Sequence, residues 1–151
     1  MPLQPGQKAP AFTLLNSEEE EISLENFKNK NVVLLFFPAA YTRVCTAELC
    51  QIRDEINVYA GLNADIIGIS VDPPATLADY KKEQQLPFML LSDADKTVSQ
   101  AYESLYDTTG RSKRSAFVID RNGIIQHAEV LENAGEMPDF DAVKETLEKI
   151  K

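Results

Sequence analysis

The sequence predicts an α/β fold in which a central mixed β-sheet is flanked by helices. Val32–Phe37 and Asp65–Val71 are continuous apolar stretches, a pattern typical of strands covered on both faces. Segments with helical periodicity follow each of them, and this alternation favours helices packed on a sheet. Ser115–Asp120 and Ile124–Leu131 flank Asn122-Gly123, the strongest short signal for a hairpin, so the sheet should contain antiparallel as well as parallel strands.

The remaining elements follow from periodicity and turn residues. Apolar residues recur at three- and four-residue spacing after Pro38, which predicts a long helix. In chain order, these further predictions are helix 44–62, helix 75–85, an extended piece 86–91, one or two helical turns at 96–102 and helix 140–150. The four consecutive carboxylates Glu18–Glu21 are predicted to form the solvated tip of a hairpin.

Length and composition indicate a single domain over residues 1–151. Apolar residues make up 44% of the chain and charged residues 26%, the ordinary balance of a globular protein. The formal charge of −9 would repel phosphate backbones and anionic lipids, so nucleic acid and membrane surfaces are poor partner candidates. The first ten residues lack the apolar run of a secretory signal, and the longest apolar stretch is too short to span a bilayer. We therefore expect a cytoplasmic location.

The reactive side chains are few. In a reducing compartment, Cys45 and Cys50 are more often free thiols than partners in a structural disulfide. His127 is alone in the sequence, and no cluster of Cys, His or carboxylate residues has metal-ligand spacing. His127 lies in an alternating stretch and is interpreted as an ordinary strand residue. The chemistry is therefore expected to need no histidine base, metal or other cofactor.

The segment Pro38–Cys45 lies between a buried strand and a helix start, where ligands bind in open α/β sheets. With Thr42 as the N-cap, Cys45 is the third helical residue, close to unpaired N–H groups and the positive end of the helix dipole. Both features favour the nucleophilic thiolate, and Arg43 with a second cation would strengthen the effect. A buried, inert cysteine is the alternative, since free cysteines are among the most buried residues.

Cys50 lies five residues after Cys45 in the same predicted helix. In an intact α-helix that separation puts the two Cα atoms about 9 Å apart, whereas a disulfide requires about 7 Å or less. Either Cys50 is a core thiol, or the first helical turn unwinds when the two sulfurs bond. The spacing also disfavours a thioredoxin-type disulfide exchanger, which uses Cys-x-x-Cys.

Four segments in the right order make the chain resemble the peroxiredoxin (AhpC/TSA) family. The core motif is Pro38-x-x-x-Thr42-x-x-Cys45, with Glu48 three residues on, where that family often carries an acid. Gly6-x-x-x-Pro10-x-Phe12 is similar to the family's opening segment, and Gly68–Asp72 is similar to its next strand. Arg114–Gly123 is similar to its later arginine-bearing strand and turn. This resemblance implies a thioredoxin-like fold with an N-terminal extension.

The resemblance also implies a role for each matching residue. Cys45 is similar to the peroxidatic cysteine, whose thiolate attacks a peroxide and becomes a sulfenic acid. Thr42 would hydrogen-bond the peroxide, Arg114 would hold the thiolate and polarise the O–O bond, and Pro38 would shield the site from water. The implied function is thiol-dependent reduction of hydrogen peroxide and organic hydroperoxides.

The role of Cys50 is left open by the sequence. It resembles the resolving cysteine of the Q-type (bacterioferritin comigratory) branch, whereas Phe36–Thr42 looks closer to the E-type branch, often with one cysteine. The first resemblance implies a Cys45–Cys50 disulfide recycled by a thioredoxin-like or other thiol reductant, in a monomer or a homodimer. A core thiol is the alternative. A non-enzymatic thioredoxin-fold redox sensor or protein-binding module is a second class of function, but it has no need of Thr42, Cys45 and Arg114 together.

Overall fold

The structure, a computed structural model, describes residues 3–27, 29–133 and 135–151. Within those ranges the chain forms seven β-strands and five α-helices. The strands are β1 (Thr13–Asn16), β2 (Glu21–Ser23), β3 (Asn31–Phe36), β4 (Ala64–Ser70), β5 (Met89–Ser92), β6 (Ser115–Ile119) and β7 (Ile125–Val130). The helices are α1 (Arg43–Asp54), α2 (Ile56–Gly61), α3 (Pro74–Gln84), α4 (Thr97–Ala101) and α5 (Phe140–Ile150).

The strands form one mixed sheet in the order β2-β1-β5-β4-β3-β6-β7. Strand β3, whose six residues are all buried, pairs in parallel with β4 and antiparallel with β6. The β6–β7 hairpin turns at Asn122-Gly123, where Gly123 has a φ of 81° that favours glycine. The predicted α/β fold with a mixed central sheet is confirmed, and so is the hairpin.

Two apolar layers cover the faces of the sheet. Alternate residues of β3 point to opposite faces, so Val33 and Leu35 join one layer while Val32 and Leu34 join the other. The first layer contains the apolar faces of α1, α2, α3 and α5, and the second is completed by the N-terminal segment, β1 and α4. Because both faces are covered, the central strand tolerates an uninterrupted apolar sequence.

One predicted helix is wrong in its continuity. Residues 44–62 form two helices, α1 and α2, which are separated at Glu55 (φ −108°, ψ 17°). The Glu55 carboxylate accepts a hydrogen bond from Lys144 of α5 at 2.6 Å, a tertiary contact that local periodicity does not reveal. The extended piece predicted at 86–91 is also displaced, because the strand there runs from Met89 to Ser92.

Three of the four carboxylates of the N-terminal run lie at the tip of a hairpin as predicted, whereas Glu21 begins strand β2. Strands β1 and β2 pair as an antiparallel hairpin in which Leu15 faces Glu21, so Glu18, Glu19 and Glu20 occupy the exposed turn. The predicted helices 75–85 and 140–150 are confirmed to within a residue, as α3 and α5. Among the helices of the described ranges, none is long and apolar enough to cross a membrane.

Candidate active site

The loop after β3 leads directly into α1, which begins after Thr42. The Thr42 backbone is extended (φ −87°, ψ 152°), and its carbonyl accepts the first helical hydrogen bond from the Thr46 N–H at 2.9 Å. Its hydroxyl does not cap the helix, because it donates to the Ala39 carbonyl at 2.8 Å. Cys45 is the third residue of α1, as predicted, and Pro38 is buried at the start of the loop.

Arg114 contacts Cys45 because of the sheet pairing. It immediately precedes β6, and the pairing of Ser115 with Phe36 places it beside the end of β3. One guanidinium nitrogen donates to the Cys45 Sγ at 3.2 Å, and another donates to the Glu48 Oε1 at 2.6 Å. Arg114 and Cys45 are each 1% exposed, and Glu48 is 0% exposed. We call these three side chains the buried Cys45–Arg114–Glu48 cluster.

The electrostatics of this cluster are set by burial and by the shared cation. Burial raises the pKa of Glu48 from its ordinary range to about 7, while the charge and hydrogen bond of Arg114 oppose part of that rise. Desolvation disfavours the charged guanidinium, but Glu48 and Cys45 outweigh it and raise the pKa of Arg114. Arg114 therefore stays a cation, while the charge on Glu48 changes near neutral pH.

The loop is also fastened to the neighbouring strand. Asp72 follows β4, and its Oδ2 accepts hydrogen bonds from the Ala40 N–H and the Ser70 hydroxyl, both at 2.8 Å. Its carbonyl accepts a hydrogen bond from the Ser92 hydroxyl at 2.6 Å. Because β3 and β4 are parallel neighbours, the loops after them lie at the same edge of the sheet, which is where this carboxylate meets the loop.

The first turn of α1 rests on α3 through Tyr80. The Tyr80 hydroxyl lies 2.8 Å from the Thr46 Oγ1, and its ring packs edge-on against Tyr41 with centroids 5.0 Å apart. Tyr41 is 51% exposed and has a φ of 67°, a left-handed conformation that is uncommon outside glycine. These contacts hold the loop and the first turn without involving the sheet.

Cys50 is not brought to Cys45. Both cysteines are free, and both lie in the intact helix α1. The Cys50 Sγ is partly exposed and donates to the Gln84 Oε1 on α3 at 3.4 Å. Of the five residues singled out in the sequence, Pro38, Thr42, Cys45 and Arg114 lie at one edge of the sheet, while Cys50 contacts α3.

Several contacts around Cys45 were not predicted. Glu48 was noted only as an acid near the cysteine, although its position one helical turn on places it on the same face of α1. At Asp72 the sequence indicates only the end of a strand segment, and it gives no signal for the contact of Tyr80. His127, by contrast, lies on β7 as expected, with its Nε2 3.6 Å from Glu129. Within the described ranges, no group of three or more His, Cys, Asp or Glu side chains could hold a metal ion.

A cleft of about 760 Å³ lies away from this site. Its lining includes Lys8, Phe12 and Leu24 of the N-terminal region, Val32 at the start of β3 and Arg121 of the β6–β7 turn. This position is at the opposite end of β3 from the loop that carries Thr42. Cys45 and Arg114 therefore lie at the carboxyl end of β3, and this cleft lies at the other end of that strand.

Comparison with known proteins agrees with the observed fold. Residues 5–128 match the AhpC/TSA family. The chain is 38% identical to alkyl hydroperoxide reductase E of Mycobacterium tuberculosis over 140 residues, 91% of each chain. It is 37% identical over 123 residues to the chloroplastic peroxiredoxin Q of Oryza sativa subsp. japonica, covering 81% of this chain and 57% of the relative. The crystal structure of peroxidoxin BcpB from Mycobacterium tuberculosis superposes with a TM-score of 0.90 at 29% identity, covering 99% of both chains.

The thioredoxin-like fold together with the family match places the chain in a class of thiol-dependent peroxidases. The chain belongs to the AhpC/TSA family, and it is a thiol peroxidase of the peroxiredoxin type. Membership implies peroxides as substrates and thiols as reductants. The relatives of the E-type and Q-type branches match it at nearly the same identity, 38% and 37%, in keeping with the mixed features of its sequence.

Proposed function

We propose that Cys45 is the thiol that attacks the peroxide. The contact that supports this most directly is the donation from Arg114 to the Cys45 Sγ at 3.2 Å, in a site from which both side chains exclude water. A buried guanidinium stabilises the thiolate, and the thiolate is the nucleophile. Sulfur attacks the terminal peroxide oxygen and the O–O bond breaks. The leaving oxygen takes a proton to become water or an alcohol, and Cys45 becomes a sulfenic acid.

Thr42 and Pro38 complete the proposed site. Because the Thr42 hydroxyl donates to the Ala39 carbonyl, its lone pairs are free to accept a hydrogen bond from the peroxide O–H. Arg114 then faces both the attacking sulfur and the oxygen on which charge develops, which is the arrangement that lowers the barrier to a displacement of this kind. The buried ring of Pro38 keeps solvent from the end of β3.

Cys50 is proposed as the resolving thiol. In the intact helix, its Cα would lie about 9 Å from that of Cys45, so a disulfide requires the first turn of α1 to unwind. That turn is held by the contact of Tyr80 with Thr46, by the loop bond of Asp72 to Ala40 and by the hydrogen bond of Arg114 to Cys45, and unwinding breaks these contacts while the strands stay paired. A thioredoxin-like dithiol would then reduce the disulfide, in a reducing compartment such as the cytoplasm.

Intact mass after one equivalent of hydrogen peroxide tests these roles. The reduced wild type is expected to lose two hydrogens, as an internal disulfide does. Cys50→Ser is expected to gain one oxygen and to form an adduct with dimedone at Cys45, and Cys45→Ser should stay unmodified on the same timescale. Addition of oxygen to the wild type, with normal turnover of Cys50→Ser by thioredoxin, would remove Cys50 from the mechanism. Oxidation of Cys45→Ser at the wild-type rate would refute the role of Cys45.

A further inference from the structure

We propose that Arg53, held in place by Gln84, activates Cys50 for its attack on the oxidised Cys45. This inference rests on the proposed resolving role of Cys50 and extends it to a positioning residue. Cys50 and Arg53 are three residues apart on α1, a spacing that puts their side chains on the same face of the helix. Both of them hydrogen-bond to Gln84, the last residue of α3, so this shared partner holds a cation near the second thiol, without the direct bond that Arg114 makes to Cys45.

Gln84 contacts both side chains with two different groups. Its backbone carbonyl accepts a hydrogen bond from the Arg53 Nη1 at 2.7 Å, and its side-chain Oε1 accepts from the Cys50 Sγ at 3.4 Å. Arg53 also donates from Nε to Asp54 at 3.0 Å, so its guanidinium is fixed at two edges. The pKa of Arg53 is raised, first by the hydrogen bond to Asp54; desolvation opposes this rise, and the nearby Cys50 and the charge of Asp54 add to it.

The environment of Cys50 suits a thiol that ionises when required. The Gln84 side chain accepts from the neutral thiol, and rotation of its amide by half a turn would present a donor to the thiolate. Arg53 supplies the positive charge that stabilises the thiolate, and its ion pair with Asp54 offsets part of that charge. The Arg53 side chain is 30% exposed, so its influence is that of a partly screened charge, weaker than the buried contact of Arg114 with Cys45.

The chemical step balances with no other reactant. Cys50 loses its proton and its thiolate sulfur attacks the sulfur of the Cys45 sulfenic acid. The S–S bond forms as the S–O bond breaks, and the departing hydroxide takes a proton to become water. Cys45 sulfenic acid is thereby reduced while the Cys50 thiol is oxidised. The rate depends on the fraction of Cys50 present as thiolate, which is the quantity that Arg53 controls.

The packing indicates which cysteine moves. Leu49 and Ile52, which flank Cys50 on α1, are 0% exposed and belong to the core, and Arg53 is tied to α3. Cys45 is also buried in this core, but it lies in the first turn of α1, where the preceding residues Arg43 and Val44 are exposed or partly exposed. The half of α1 that carries Cys50 therefore stays folded. Unwinding of the first turn moves the Cys45 sulfenic acid to the Cys50 thiolate.

The test separates the two oxidations in time. Reduced protein is mixed with one equivalent of hydrogen peroxide and quenched at intervals with dimedone, and the sulfenic acid and disulfide are quantified by mass at several pH values. The variants are Arg53→Gln, Arg53→Lys, Cys50→Ser and, as a control for the loss of one surface charge, Arg111→Gln on an exposed loop.

Arg53→Gln is expected to form the sulfenic acid at the wild-type rate and to convert it to the disulfide about tenfold more slowly at pH 7. The deficit should shrink above about pH 9, where an ordinary thiol ionises unaided. Arg53→Lys should recover most of the rate, and Arg111→Gln should behave as wild type. Equal slowing of Arg53→Gln at every pH, or no slowing, would overturn the proposal while leaving the resolving role of Cys50 intact. A wild type that forms no disulfide would remove that role and this proposal together.

Discussion

Replacement of Arg114 by methionine is the most informative single perturbation of the site. Arg114→Met keeps a long, buried side chain and removes the donors to the Cys45 Sγ and the Glu48 Oε1. Two separate losses follow. Cys45 loses the cation that stabilises its thiolate, and Glu48 becomes a fully buried carboxylate without the partner that lowers its pKa.

The two losses have different magnitudes and different dependences on pH. Removal of one preorganised donor from a buried reacting centre lowers the rate about 10²- to 10³-fold. Breaking a buried ion pair costs about 3–5 kcal/mol while the remaining group is charged. In the wild type the folded-state pKa of Glu48, about 7, lies above its ordinary value, so its proton stabilises the fold at acidic pH, and this contribution is lost as the pH rises through about 7. Without Arg114 the pKa of Glu48 should rise further, so the destabilisation of Arg114→Met is expected to be larger at pH 8 than at pH 5.5.

The double variant Glu48→Gln/Arg114→Met distinguishes the two effects. It removes the unpaired carboxylate, so denaturant unfolding at pH 8 should show most of the stability restored, while peroxide consumption in a single turnover should remain about 10²- to 10³-fold slow. Lys113→Met is the matched control, because it removes the adjacent, partly exposed cation. The ion pair of Lys113 with Glu132, whose side chain is 79% exposed, is worth about 0–1 kcal/mol. Recovery of a near-wild-type rate in the double variant would refute a direct action of Arg114 on Cys45.

Three further predictions concern the surroundings of the site. Glu48→Gln should flatten the pH dependence of the peroxide reaction rate between about pH 6 and 8, because the carboxylate with a pKa of about 7 no longer titrates beside Arg114. Rapid quenching measures this rate, and an unchanged pH profile would contradict the prediction. Tyr80→Phe removes the 2.8 Å contact with Thr46, so unwinding of the first turn of α1 should be easier by about 1 kcal/mol. Disulfide formation should then be about fivefold faster in the same assay. Slower disulfide formation would show that this contact does not restrain the turn. Gly68→Ala should lower the free energy of unfolding by about 1–3 kcal/mol, since the added Cβ would lie 2.7 Å from the Leu90 side chain. Urea unfolding measures this change. An unchanged urea midpoint would show that the core rearranges to accommodate the methyl group.

The elements that could be predicted from the sequence are those whose signal is local. Val32–Phe37 has the continuous apolar pattern of a central strand, and Asn122-Gly123 has the turn chemistry of a hairpin. The division of the long helix at Glu55 could not be predicted, because it accompanies a contact with Lys144, 89 residues away. Displacement of one strand to Met89–Ser92 is a boundary error of the kind that propensities do not resolve.

The site divides in the same way. The position of Cys45 at the third residue of a helix follows from the residues around it. Its contact with Arg114, 69 residues later, depends on the antiparallel pairing of β6 with β3, which periodicity alone does not specify; the family resemblance supplied that expectation. The second bond of Arg114, to Glu48, and the contact of Cys50 with Gln84 required the folded structure.

The central claim is that Cys45 reacts with peroxide because of its surroundings. The measurement that tests it most directly is the second-order rate constant of the reduced protein with hydrogen peroxide at pH 7, compared among the wild type, Cys45→Ser and free cysteine. The structure predicts a wild-type rate far above that of free cysteine, and loss of this reaction in Cys45→Ser. A wild-type rate no greater than that of free cysteine, or its persistence in Cys45→Ser, would contradict the account.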